Sequence, residues 1–139
     1  MEKVLFGGNN YIIMPQAKRL LGTLPCDCDE IILDSEGNSH YVQFHYEGKQ
    51  TLKRYTLKHQ YADNEKVITV SPNVYWYADL GRLKQDIKVK DVVRFSPSDK
   101  GWIVTKIEDA SNEDSYSLSF NTNELSLIIE GTELVIKKD

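Results

Sequence analysis

The residues best suited to chemistry in this chain are its three histidines, two cysteines and a run of cations in the middle. His40 and His45 fall on opposite faces of any regular strand through them, so they do not form a pair, and His59 stands alone in a polar stretch. Cys26 and Cys28 flank Asp27, but a structural zinc site needs a second pair of ligands at matching spacing, and none follows. Glu108-Asp109 and Glu113-Asp114 lie in a Ser/Asn-rich stretch and read as a solvated linker. No nucleophile elbow, zinc-protease motif or phosphate-binding loop is present. These observations predict a protein without catalytic residues, cofactor or metal.

The cations are a different matter. Lys49, Lys53, Arg54 and Lys58 share one ten-residue stretch with no acid between them, interleaved with Gln50 and Tyr55. Lysines on a strand edge discourage aggregation; a cationic strand also follows phosphates. The wider charge pattern matches the second use. Residues 1–42 carry three cations against six anions, residues 43–106 twelve against seven, and residues 107–139 two against eight. A basic middle between acidic ends presents a local cationic face despite the net charge of −4.

The elements that must position these residues are short. Ser39–Lys58 reads as a hairpin broken at Glu47-Gly48-Lys49, with Leu52 and Leu57 on opposite parities, which predicts a bulge or an edge position. Strands are also expected at 3–6, 11–14, 31–34, 66–70 and 102–107, and in the tail after residue 115. Pro15 to Leu21 predicts a two-turn helix with Gly22 as its cap, and 80–85 a second short helix. Val74 to Tyr77 is an aromatic run suited to burial or to a partner. No apolar run is long enough for a membrane span and no signal peptide is evident, so a cytoplasmic setting is expected. The fold class is mainly β with two short helices.

The order YIIMPQAKRLL, EIILDSEGNSHYVQFHY, QTLKRYTL, LGRLKQDIKVKDVVRFSP and GWIVTKI resembles the B3 DNA-binding domain and its relatives in restriction-enzyme recognition domains, over residues 3–108. Lys90 stands where that family usually has glycine before Asp91. The resemblance implies a small open pseudobarrel of about seven strands at 1–109, with 110–139 as a strand-forming extension that is either separate or part of the same domain. It also implies a non-catalytic module that reads duplex DNA in the major groove through two arms, in a restriction-modification or transcription setting. One arm would be Gly7 to Tyr11, with Asn9, Asn10 and Tyr11 beside Gln16 and Lys18. The other would be Lys49 to Lys58, where Gln50 reads base edges with Asn9 and Asn10, Arg54 reads guanine or holds a phosphate, Tyr55 lies between, and Lys49, Lys53 and Lys58 anchor phosphates. The alternatives are a protein-binding adaptor using Val74 to Tyr77, and a PUA-like RNA-binding barrel.

Overall fold

The computed structural model describes residues 3–138, with every side chain except that of Asp79. The chain is mainly β and forms two six-stranded sheets. The first runs in the order β4 (Asp29–Leu33), β5 (Ser39–His59), β6 (Glu65–Val70), β1 (Phe6–Gly7), β10 (Trp102–Ser119), β9 (Val92–Val93), and β5 also pairs with β10. The second runs β3 (Lys18–Leu20), β2 (Tyr11–Ile13), β11 (Glu124–Ile129), β12 (Thr132–Lys137), β7 (Tyr75–Tyr77), β8 (Leu83–Lys84). This is an open arrangement of sheets, not a closed barrel. The tail is woven into it: β10 runs unbroken through residues 109 and 110, and β11 and β12 pair with β2 and β7. Phe6, Phe44, Tyr55, Trp76 and Leu127 anchor one continuous core.

The expected hairpin at Glu47-Gly48-Lys49 is not a reversal. β5 is a single 21-residue strand. Opposite it, Ser115 alone spans the gap that Glu47 and Gly48 span on β5. This is a bulge, and Gly48 at φ 82° supplies the left-handed backbone it requires. The stretch 109–115, expected to be a solvated linker, lies inside β10. There Ser111 and Asn112 oppose Thr51 in a second bulge, with Asn112 at φ 57°. Turn-forming residues thus re-aim a long two-stranded ribbon instead of ending its strands. Leu52 and Ala110 are register partners within it, both buried and both outside the main core, which accounts for the change of parity along β5.

Neither expected helix forms. Met14 to Ala17 is a tight turn, closed by Met14 N–H donating to Ala17 O at 3.1 Å, and Lys18–Leu20 pairs back onto Tyr11–Ile13. Pro15 therefore sits where its fixed φ favours a turn. A seven-residue helix has too few hydrogen bonds to offset nucleation, so a hairpin that docks on β11 wins. Only a 3-10 turn, Leu21–Thr23, follows. Gly22 is a contact point: its N–H donates to Gly8 O at 2.8 Å, and a Cβ there would lie 2.9 Å from that oxygen. The second expected helix is a 3-10 turn, Asp79–Gly81, leading into β8; Leu80 at φ 66° and Gly81 at φ 74° break any helical path.

The turn between β4 and β5 is built by Asp34. Its Oδ1 accepts from Glu36 N–H and Asn38 N–H, each at 2.9 Å, and its Oδ2 meets His40 Nε2 at 2.8 Å. Burial pushes the Asp34 carboxyl up, but the bonds from His40, Asn38 and Glu36 outweigh it and leave the group below its ordinary value. A carboxyl depressed in the folded state adds stability above its unfolded pKa of about 3.9, and that stability is lost as pH falls through the lower folded value. Thermal melts of the wild type and Asp34→Asn should therefore differ most at pH 7 and converge below about pH 4. A gap that stays constant down to pH 2 would refute this account.

Candidate functional site

The two ends of the described chain meet in one open cleft of about 570 Å³, lined by Lys3 and Val4 from the N-terminal segment and by Ile136, Lys137 and Lys138 from the end of β12. His45, Ser117 and Ser119 form its floor. The entering segment is gripped through its backbone. Ser71 N–H donates to Leu5 O at 2.8 Å, Leu5 N–H donates to Ser71 Oγ at 2.8 Å, and Ser71 Oγ donates to Asn73 Oδ1 at 2.5 Å. Asn73 Nδ2 in turn donates to Lys3 O at 3.2 Å. These are main-chain contacts, so they fix the path of the segment without reading its side chains. The Ser71-Pro72-Asn73 turn that breaks the chain after β6 thus serves as a clamp.

Lys3 Nζ pairs with Glu47 at 3.0 Å, and Ser117 Oγ donates to the same carboxylate. The hydrogen bonds from Ser117 and Lys3 hold the Glu47 carboxyl below its usual range, against a smaller upward push from burial. Beside them, Asp27 Oδ1 lies 2.6 Å from His45 Nδ1, and His45 Nε2 lies 2.8 Å from Ser119 Oγ. His45 is the register partner of Ser117 on β10, which puts Ser119 on the diagonal, within reach of a long side chain. Asp27 comes from the loop before β4, held at φ 61° with its N–H donating to Phe44 O at 2.8 Å.

Sequence patterning put His45 on the face opposite His40 and missed what it meets there. Its partners lie 18 and 74 positions away, and no local pattern announces either. Every histidine has a carboxylate: His40 has Asp34, and His59 Nε2 lies 3.5 Å from Asp99. Among the described residues no group of three or more His, Cys, Asp or Glu side chains is placed to hold a metal ion.

The expected DNA-contacting residues divide between the interior and two sheets. Asn10 is 2% exposed. Its Nδ2 donates to Gly7 O at 2.9 Å and Thr69 O at 2.7 Å, and its Oδ1 accepts from Thr69 N–H at 3.2 Å, so its amide is fully engaged in the interior. Tyr55 is also buried, and burial together with the Asp86 charge pushes its hydroxyl up to about 12. Asn9 and Gln16 are exposed in turns, and Lys18 lies over the Tyr11 ring at 5.2 Å. The two expected arms fall on different sheets, Tyr11 and Lys18 on one and Lys49 to Lys58 on the other. Gln50 donates to Glu47 O within its own strand, and Lys58 stands opposite Glu65.

The cationic strand is also neutralised in place. β10 runs antiparallel to β5 and sets its acids against the cations: Lys49 on Asp114 at 3.0 Å, Lys53 on Asp109 at 2.5 Å, and Arg54 on Glu113 at 3.2 Å and Glu108 at 3.5 Å. The cations at 49, 53 and 54 and the acids at 108, 109, 113 and 114 face each other across one ribbon. Exposed pairs of this kind add little stability, but they cancel the field a phosphate backbone would need. The aromatic run expected to capture a protein partner is likewise occupied. Val74 and Trp76 are fully buried, Arg94 lies over Tyr77 at 4.4 Å and Lys137 over Tyr75 at 4.8 Å.

No family model matches the sequence, and no curated protein shows significant similarity to it. Solved structures do. The Ssp DnaB mini-intein variant M86 superposes with a TM-score of 0.68 at 17% identity, covering 99% of this chain and 96% of that one. The DnaB intein from Synechocystis sp. PCC 6803 gives 0.65 at 16% identity, covering 98% and 99%. The gp41-1 intein gives 0.66 at 12% identity, covering 96% and 98%. The likeness runs the length of both chains and establishes the fold: that of the inteins, one of which is described as a splicing domain.

This overturns the B3-like resemblance and what it implied. The fold is neither a B3-like nor a PUA-like pseudobarrel: the structures that share it are inteins. The expectation of a non-catalytic duplex-DNA module in restriction-modification or transcription is overturned by the same finding, since the solved structures that share the fold are inteins. No described helix is long and apolar enough to cross a membrane.

Proposed function

We propose that this chain is an intein-type splicing domain, acting on peptide bonds of a polypeptide continuous with its own two ends. The observation that carries the proposal is the meeting of Lys3 and Val4 with Lys137 and Lys138 in one cleft. A reaction that breaks the backbone on one side and joins it on the other needs both segments held within bonding reach, and holding them there replaces a costly encounter between separate molecules. The Ser71 clamp suits the task, since it grips main-chain atoms and so accepts any sequence in the entering segment. Support also comes from the splicing domains that share the fold over their whole length. A double-stranded DNA partner has no part in this reading; the partner is the flanking polypeptide. A cytoplasmic setting goes with it, and the free thiols of Cys26 and Cys28 favour a reducing compartment.

The test is to express the chain between two folded reporter proteins and resolve the products by gel and mass spectrometry. The expected products are the two reporters joined without the insert, or a precursor severed at a junction. A precursor that stays intact over days, with and without added thiol or hydroxylamine, overturns the proposal.

A further inference from the structure

The geometry points to Ser119 as a nucleophile that takes up an acyl group from a peptide carbonyl in the cleft, with His45 as its base and Asp27 as the residue that positions the base. For the peptide substrate this rests on the splicing-type reading above. The chemistry of the three side chains does not. An ionised Asp27 can only accept, so the 2.6 Å contact requires the proton on His45 Nδ1. A neutral ring protonated there presents a lone pair at Nε2, and the 2.8 Å contact then has Ser119 Oγ–H donating to it. This is the arrangement in which a serine hydroxyl can lose its proton as it attacks. Among the described residues it occurs once. His40 has a carboxylate but no hydroxyl on its other nitrogen, and His59 lies 3.5 Å from its carboxylate and packs edge-on against Trp102.

The surroundings fit the reaction. Ser119 lines the cleft that holds both terminal segments, so a peptide carbonyl carried by either one is within its reach. His45 keeps 31% of its side-chain surface, enough for a reagent to approach. In the acylation step Ser119 Oγ bonds to the carbonyl carbon and its proton passes to His45 Nε2. The carbon–nitrogen bond then breaks, and the leaving amine takes that proton. Water resolves the ester in the reverse sense: its oxygen bonds to the carbonyl carbon, its proton goes to His45, and Ser119 Oγ leaves reprotonated.

The experiment uses the isolated chain with a fluorophosphonate probe, which phosphonylates activated serines and expels fluoride, and with p-nitrophenyl acetate. The expected result is one label on Ser119 by peptide mapping, at least 10-fold faster than on the urea-unfolded chain, and lost in Ser119→Ala and His45→Ala. Asp27→Asn is expected to lower kcat for the ester several-fold with KM unchanged, as a residue acting through the base should. Circular dichroism of each variant separates lost labelling from lost fold. Labelling of Ser119 no faster than in the unfolded chain, or labelling that survives His45→Ala, overturns the inference. These outcomes are independent of the reporter fusion: an intact fusion with a labelled Ser119 refutes the splicing reading alone, and a spliced fusion with an unlabelled Ser119 refutes this one alone.

Discussion

Asn10→Ala will destabilise the protein by about 2–4 kcal/mol, because it strands buried backbone groups that nothing else can reach. The side chain joins the turn after β1 to β6, donating to Gly7 O and Thr69 O and accepting from Thr69 N–H. Gly7 O keeps a bond from the Asn10 backbone N–H at 3.2 Å. On the β1 side of the sheet Thr69 loses both of its contacts, with the residue 1% exposed and closed to water. Each buried group left without a partner costs about 1–3 kcal/mol, and small backbone shifts recover part of the sum. Asn10→Asp is expected to be worse at neutral pH, since it sets a charge against two carbonyl oxygens. Urea unfolding measures the loss, and amide exchange at Thr69 localises it. A change in midpoint worth less than about 0.5 kcal/mol would mean that Asn10 does not stitch these elements together. Thr69 lies two residues before Ser71 at the end of β6, so the loss should also loosen the clamp on the entering segment.

Trp76→Ala will cost about 3–5 kcal/mol, the range for removing a large aromatic from a packed interior. Trp76 is fully buried, pairs with Leu134 across β7 and β12, and meets the Tyr55 ring edge-on with centroids 5.1 Å apart. It therefore joins the two sheets at the middle of the core. Its indole Nε1 has no hydrogen-bond partner among the described residues. Trp76→Phe removes that unpaired donor while leaving a ring in place, so its loss is expected below about 1.5 kcal/mol. The comparison is direct. Equal losses for alanine and phenylalanine would mean that the indole makes a bond, and no loss for alanine would return this aromatic run to the surface.

Much of the strand pattern was legible in the sequence. Short apolar runs located β2, β4, β6 and β11, and Glu130-Gly131 separated β11 from β12, where both residues take the left-handed conformation of a two-residue hairpin. The errors cluster where a local signal has two structural uses. Gly48 and Asn112 fit turns and bulges equally well, and only the opposing strand decides between them. Pro15 fits a helix start and a turn equally well, and docking on β11 decides. The B3-like resemblance rested on the order of short strands and turns, which small β folds share.

From the sequence alone follow the β-rich class and the opposite faces of His40 and His45, because strand periodicity is a local property of the chain. Tertiary structure decided everything that depends on which strands are neighbours. Pairing β5 with β10 neutralised the cations that suggested a nucleic-acid ligand, and it set Ser119 beside His45 across 74 positions. The path of the preceding loop brought in Asp27, and both terminal segments close onto the cleft that His45 and Ser119 line. Charge and nucleophilicity depend on what lies within a few ångströms, and in a fold of long-range strand pairs sequence distance says almost nothing about that.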